Sequence, residues 1–210
     1  MKKLLIILTS ALVALATHHV NGQDLNELLE SKVRSLTIVE SEKANSILAN
    51  EIERIALAQQ DDWYANYYAA LAYVETANVS PKKQIDALCD RAEEFLIKAE
   101  KIESNNPENL ILRAYLLSAR INVSPMVRGA KLGVESKELL TKALEIDPSN
   151  PRALYVRGMG IYYTPAVFGG GKKKAKPYLE KAVAEFEKEK KEGLDPYWGA
   201  REAVKLYEAY

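Results

Sequence analysis

The stretches "EFLIKAEKIE" (94–103), "ELLTKALEID" (138–147) and "PYLEKAVAEF" (177–186) decide the fold. Each carries an aromatic residue or leucine, then leucine, then Lys-Ala two residues on. The first two start 44 residues apart. The flanks repeat as well. "NNPENL" (105–110) answers "SNPRAL" (149–154), and "NVSP" occurs at 78–81 and again at 122–125, with "YYTP" (162–165) as a looser copy. A period of this length marks stacked helical hairpins.

Small residues fall where helix pairs must touch. Ala70, Ala114 and Gly158 occupy the first helix of each unit, and Ala92, Ser136 and Ala175 the second. The latter three are followed four residues later by Leu96, Leu140 and Leu179, and three later again by Ala99, Ala143 and Ala182. That ladder is one stripe of a helix. Small side chains let the axes approach, and leucine fills the seam. Gly158 costs a helix interior about 1 kcal/mol against alanine, and a close approach of two backbones accounts for it.

These features predict an all-α chain: a short α-α superhelix of about three hairpins, at 63–103, 107–147 and 151–190. Amphipathic helices at 24–36 (Leu25, Leu28, Leu29, Val33, Leu36) and 42–59 cap one end, and a helix at 197–209 caps the other. Ser80-Pro81 and Ser124-Pro125 read as helix N-caps with proline at the first helical position. Asp61 and Asp62 read as helix-capping acids, and Trp198 as packing for the last helix.

The small–small–Leu–Ala pattern, closed by "IDPSNP" (146–151), resembles the tetratricopeptide repeat. One departure is clear. The two small positions lie 22 residues apart in the first two units and 17 in the third, wider than in a regular repeat of that family. "WYANYYAALAYV" (63–74), "ARINVSPMVRGAKLG" (119–133), "NPRALYVRGMGIYYTPAVFGGGKKKA" (150–175) and "DPYWG" (195–199) are similar to a group of exported bacterial tetratricopeptide-like proteins without an assigned activity. The resemblance implies an exported helical scaffold.

Residues 1–22 read as a signal peptide, with 23–210 as one helical domain. Lys2 and Lys3 form the basic region, and Leu4–Ala16 is an apolar stretch too short for a stable anchor. Cleavage after Ala16 or after Gly22 fits, the second better. A periplasmic or secreted protein of Gram-negative type is expected, with no membrane span once the leader is gone. The whole chain balances 29 basic against 29 acidic residues, and the leader removes two lysines, so the mature net charge is −2. Nothing in that balance attracts nucleic acid or acidic lipid. The only histidines, His18 and His19, leave with the leader. Imidazole acid–base chemistry, His triads and His-held metals leave with them. The lone Cys89 cannot form an internal disulfide and reads as a buried apolar residue. No catalytic constellation, metal site or cofactor is expected.

Three features are candidate binding sites. The "FGGGKKK" run (168–174) is not a nucleotide-binding P-loop: position 166 is Ala rather than Gly, 173 is Lys rather than Ser or Thr, and no strand precedes it. It is either a structural turn or a weak anion site at a helix N-terminus, using Phe168 and Lys172. Arg128, in the equivalent loop of the preceding hairpin, offers a fork for a carboxylate, phosphate or sugar, or else an ion pair between repeats. If the first helices line a concave face, Tyr64, Tyr67, Tyr115, Arg152 and Tyr155 point into it, extended by Tyr162 and Tyr163. Such a groove suits a peptide or glycan; alternatively the tyrosines fill the core.

Two functions follow. One is a non-catalytic exported scaffold binding a protein or peptide on the tyrosine face. The other is a soluble ligand-binding accessory of an envelope uptake system, holding a small anion or glycan between the Arg128 and Phe168–Lys174 loops.

Overall fold

The computed structural model of the chain describes residues 22–36, 41–190 and 192–209. The leader assigned to residues 1–22, with His18 and His19, lies outside the described residues apart from Gly22. The elements are α1 (Gly22–Leu36), α2 (Glu42–Ala58), α3 (Trp63–Val79), α4 (Lys82–Ile102), α5 (Pro107–Val123), α6 (Pro125–Ile146), α7 (Pro151–Tyr163), a 3-10 turn (Ala166–Phe168), α8 (Lys172–Lys188) and α9 (Ala200–Glu208). No strand occurs among the described residues, and no described helix is long and apolar enough to cross a membrane.

Local chemistry explains where the helices begin. Asp62 accepts from the Ala65 amide at 2.7 Å, Asn106 from Glu108 at 2.9 Å, and Asn150 from both Arg152 and Ala153 at 3.0 and 3.1 Å. These side chains satisfy amides that have no partner inside the helix. Pro107 and Pro151, with no N–H to lose, occupy the first helical turn. The second helices start differently. Ser80 and Ser124 do not cap α4 and α6. The Ser80 hydroxyl instead bonds back to the Thr76 carbonyl at 2.8 Å. The proline alone ends the preceding helix, because it constrains the residue before it.

Each expected hairpin packs as a pair: α3 with α4, α5 with α6, and α7 with α8. Successive hairpins join where the second helix of one meets the first of the next, α4 on α5 and α6 on α7, and through their first helices, α3 on α5 and α5 on α7, while α4, α6 and α8 do not pack on one another. The seam is buried throughout, at Leu96, Leu140 and Leu179 as at the small residues beside them. Ser136 reaches across it to donate to the Ala114 carbonyl at 3.3 Å. At Gly158 a Cβ would lie 2.8 Å from the Leu179 side chain, so only glycine permits this approach. Of the five apolar positions assigned to α1, Leu29, Val33 and Leu36 are buried, whereas Leu28 faces outward.

Candidate functional site

The first helices do converge their tyrosines on one face, but the chain itself occupies that face. Tyr67, Tyr115 and Tyr155 are buried. Trp198, also buried, stacks on Tyr115 with centroids 5.0 Å apart and meets Tyr155 edge-on at 6.5 Å. Its indole N–H donates to the Tyr67 phenol at 2.7 Å. Tyr68 donates to the carbonyls of Leu194 and Asp195, and Tyr64 to the Asp195 carboxylate at 2.9 Å.

Arg152 is buried with Glu108, its Nε within 3.0 Å of both carboxylate oxygens. Asn150 and Tyr67 also donate to Glu108, and Arg152 reaches on to Glu189. Burial pushes the phenols of Tyr67, Tyr115 and Tyr155 well above their ordinary pKa, so they stay protonated as donors. The open groove expected of Tyr64, Tyr67, Tyr115, Arg152 and Tyr155 is therefore closed by residues 194–199, and these side chains hold that segment in place.

The small-ligand site expected between two loops is also absent. Arg128 gives both terminal nitrogens to Asp86, at 2.6 and 2.8 Å, and donates to the Arg120 carbonyl at 3.1 Å. Its hydrogen-bonded guanidinium holds the Asp86 carboxyl below its ordinary pKa. The Arg128 loop lines an open depression with Asp90, Arg120 and Lys131. Since α6 does not pack on α8, the Arg128 guanidinium and the Phe168–Lys174 loop do not close a pocket between them.

That second loop is a built turn. Gly169 and Gly171 take positive φ of 89° and 103°, which other residues adopt only with strain. Gly170 packs so tightly that a Cβ would lie 2.2 Å from the Thr164 carbonyl oxygen. The Gly171 amide donates to the Ile161 carbonyl at 2.9 Å, tying the turn to the end of α7. Lys174 bonds the Gly169 carbonyl, and Lys172 bonds the Ala209 carbonyl while lying 5.3 Å over the Tyr162 ring. Tyr162 and Tyr163 meet edge to face. Lys173 makes no hydrogen bond or ion pair among the described residues.

Sequence reading picks out Tyr163 and Phe168 at this turn but not the other apolar residues around it. The most exposed large apolar side chains in the described structure are Val167 (85%), Met126 (81%), Val127 (78%), Tyr163 (69%) and Phe168 (67%). All five lie at the α5–α6 and α7–α8 turns, and the alternating course of the hairpins puts both turns on one edge of the stack. The available signal was apolar residues flanking proline in segments otherwise built like polar turns.

No protein-family model and no curated protein matches the chain. The solved structure of the HusA haemophore from Porphyromonas gingivalis does, at a TM-score of 0.78 and 36% sequence identity, over 90% of this chain and 94% of that one. The chain belongs to the HusA family. Coverage this high on both sides means that the two chains share most of one helical architecture. Among the described residues of this HusA relative, no group of His, Cys, Asp and Glu is placed to hold a metal ion. Cys89 is buried, and burial pushes its thiol up to about 12, leaving it without thiolate character.

Proposed function

We propose that the protein is a non-catalytic exported carrier of haem or a similar planar tetrapyrrole, held on the hairpin-tip edge. The observation that carries this reading is the likeness to a haemophore across nearly the whole of both chains. The exposed apolar edge is its physical counterpart.

A porphyrin presents a broad apolar face, two carboxylate side chains and an iron with open axial positions. Val127, Tyr163, Val167 and Phe168 supply apolar area for the face. Burying one such side chain contributes about 1.5–3 kcal/mol. Lys173, in the first turn of α8 five residues after Phe168 and without an ion pair among the described residues, suits a propionate. The sequence has no histidine after His19, so the porphyrin is held by its apolar face and propionates, with a phenol or thioether as the donor open to the iron. Tyr163 and Met126 are the exposed donors of those kinds on this edge. A leader at residues 1–22 fits a carrier that works outside the cytoplasm.

Arg128 has no part here, because Asp86 engages its fork, and the peptide groove has no opening while Trp198 fills it. The test is titration of the protein with haemin, followed by visible absorption. Saturable binding with a shifted Soret band is expected, and Tyr163→Phe should alter the spectrum more than it weakens binding if the phenol meets the iron. Haemin that stays spectrally free at micromolar protein would sink the proposal.

A further inference from the structure

The nine-residue helix α9 ends the described chain. A helix this short is not stable alone, so its order depends on its seat against α7 and α8. Its first turn borders a cleft of about 160 Å³. Val33, Leu36, Leu71 and Glu75 line the cleft together with Arg201 and Glu202 of α9.

Glu75, on α3, is half-buried there and accepts a hydrogen bond from Tyr115 at 3.3 Å. The groups that face it can be named element by element. Tyr115 from α5 and Tyr155 from α7 are un-ionised phenols. Tyr197, Arg201 and Glu202 come from the C-terminal segment, with Arg201 donating to Glu202 at 2.8 Å. The α1 residues Val33 and Leu36 are apolar. On α2, Glu51 is paired with Lys32 and Glu53 with Arg91, and on α4, Glu93, Asp90 and Asp86 pair with Arg113, Arg120 and Arg128.

We propose that Glu75 and Glu202 form a pH-sensitive latch: α9 is docked while Glu75 carries its proton, and ionisation sets two carboxylates against each other across the cleft and loosens the helix. Burial first, and the Glu202 charge second, push the Glu75 carboxyl up to about 7, against the smaller lowering effects of the Tyr115 hydrogen bond and the Arg201 charge. Once α9 lifts, water reaches Glu75 and its acidity returns toward that of an ordinary glutamate. Opening is therefore promoted as pH rises from the ordinary value toward 7, and levels off above it. The other end of the helix touches the ligand edge, because the Ala209 carbonyl accepts from Lys172, whose ammonium lies over Tyr162. The latch does not rest on the haem reading, although it would reach that site.

The test is amide hydrogen exchange across residues 200–208 in the full chain, between pH 5 and 8.5, corrected for intrinsic exchange rates. Protection should fall by roughly tenfold per pH unit up to about pH 7 and then level. Glu75→Gln should leave α9 protected across the range while still accepting from Tyr115. Should that variant fold poorly, Glu202→Gln, on an accessible helix, should shift the levelling point of the same profile to lower pH, because it removes the second of the two causes that raise Glu75. Protection in the unmodified chain that ignores pH, or the same profile in both variants, would overturn the latch. A failed haemin titration would bear only on the tip edge.

Discussion

Trp198 and Tyr67 lie 131 positions apart in the chain, and the indole N–H of one meets the phenol oxygen of the other at 2.7 Å. That Tyr67 phenol donates in turn to Glu108, which Arg152 grips from the next hairpin. One buried chain of polar contacts thus links all three hairpins to the C-terminal segment, and it closes the face on which a peptide groove was expected.

Trp198→Ala should destabilise the protein by about 3–5 kcal/mol, since it empties a fully packed aromatic site. Trp198→Phe keeps most of the stacking and loses the bond to Tyr67, at about 1 kcal/mol. Urea unfolding of both variants checks the ranking.

The Glu108–Arg152 pair makes a sharper prediction. Arg152→Leu leaves a buried carboxylate without its cation and should cost about 3–5 kcal/mol. Adding Glu108→Leu removes the stranded charge, so the double variant should be less destabilised than the two single variants summed. A double-mutant cycle in urea measures the coupling, and strict additivity would contradict the network.

The hairpin boundaries were legible because their signals are local: Asn106 and Asn150 followed by proline, and the ladder of alanine and leucine around Leu96, Leu140 and Leu179. Position within a helix was legible too, since the repeat spacing puts Tyr67, Tyr115 and Tyr155 on one face and they do converge there. What fills that face was not. Residues 192–199 have no periodicity that betrays a partner, and "DPYWG" reads locally as a turn with a packing tryptophan. Asp86 lies 42 positions before Arg128, so the occupied state of that guanidinium had no local sign. Met126, Val127 and Val167 had no such sign, because a lone valine or methionine in a turn signals nothing until its neighbours in space are known.

Gly170→Ala puts a Cβ against the Thr164 carbonyl, 2.2 Å away, where backbone must move. The α7–α8 turn should distort while the first two hairpins persist. Haemin affinity should fall severalfold or more with little loss of helical circular dichroism, and unchanged affinity would detach the turn from the site.

Glu75 gives the stability profile a definite direction. Its folded-state pKa of about 7 exceeds the ordinary glutamate value of 4.5. The native state therefore holds this proton more tightly, and stability from this group declines as pH rises between those values and stays lower above them. Glu75→Gln should melt higher than the unmodified protein at pH 8, with the gap closing near pH 5. Thermal melts at both pH values decide it, and a variant less stable at pH 8 would contradict the assignment.

The most direct measurement is a haemin titration comparing the unmodified protein with Tyr163→Ala/Phe168→Ala on the tip edge and with Ile97→Ala, a partly exposed α4 position on a different surface. The tip variant should bind at least about tenfold more weakly, the loss of roughly 1.4 kcal/mol or more that two apolar contacts imply, while Ile97→Ala binds like the parent. Equal affinity in all three proteins would place the ligand elsewhere and contradict the account.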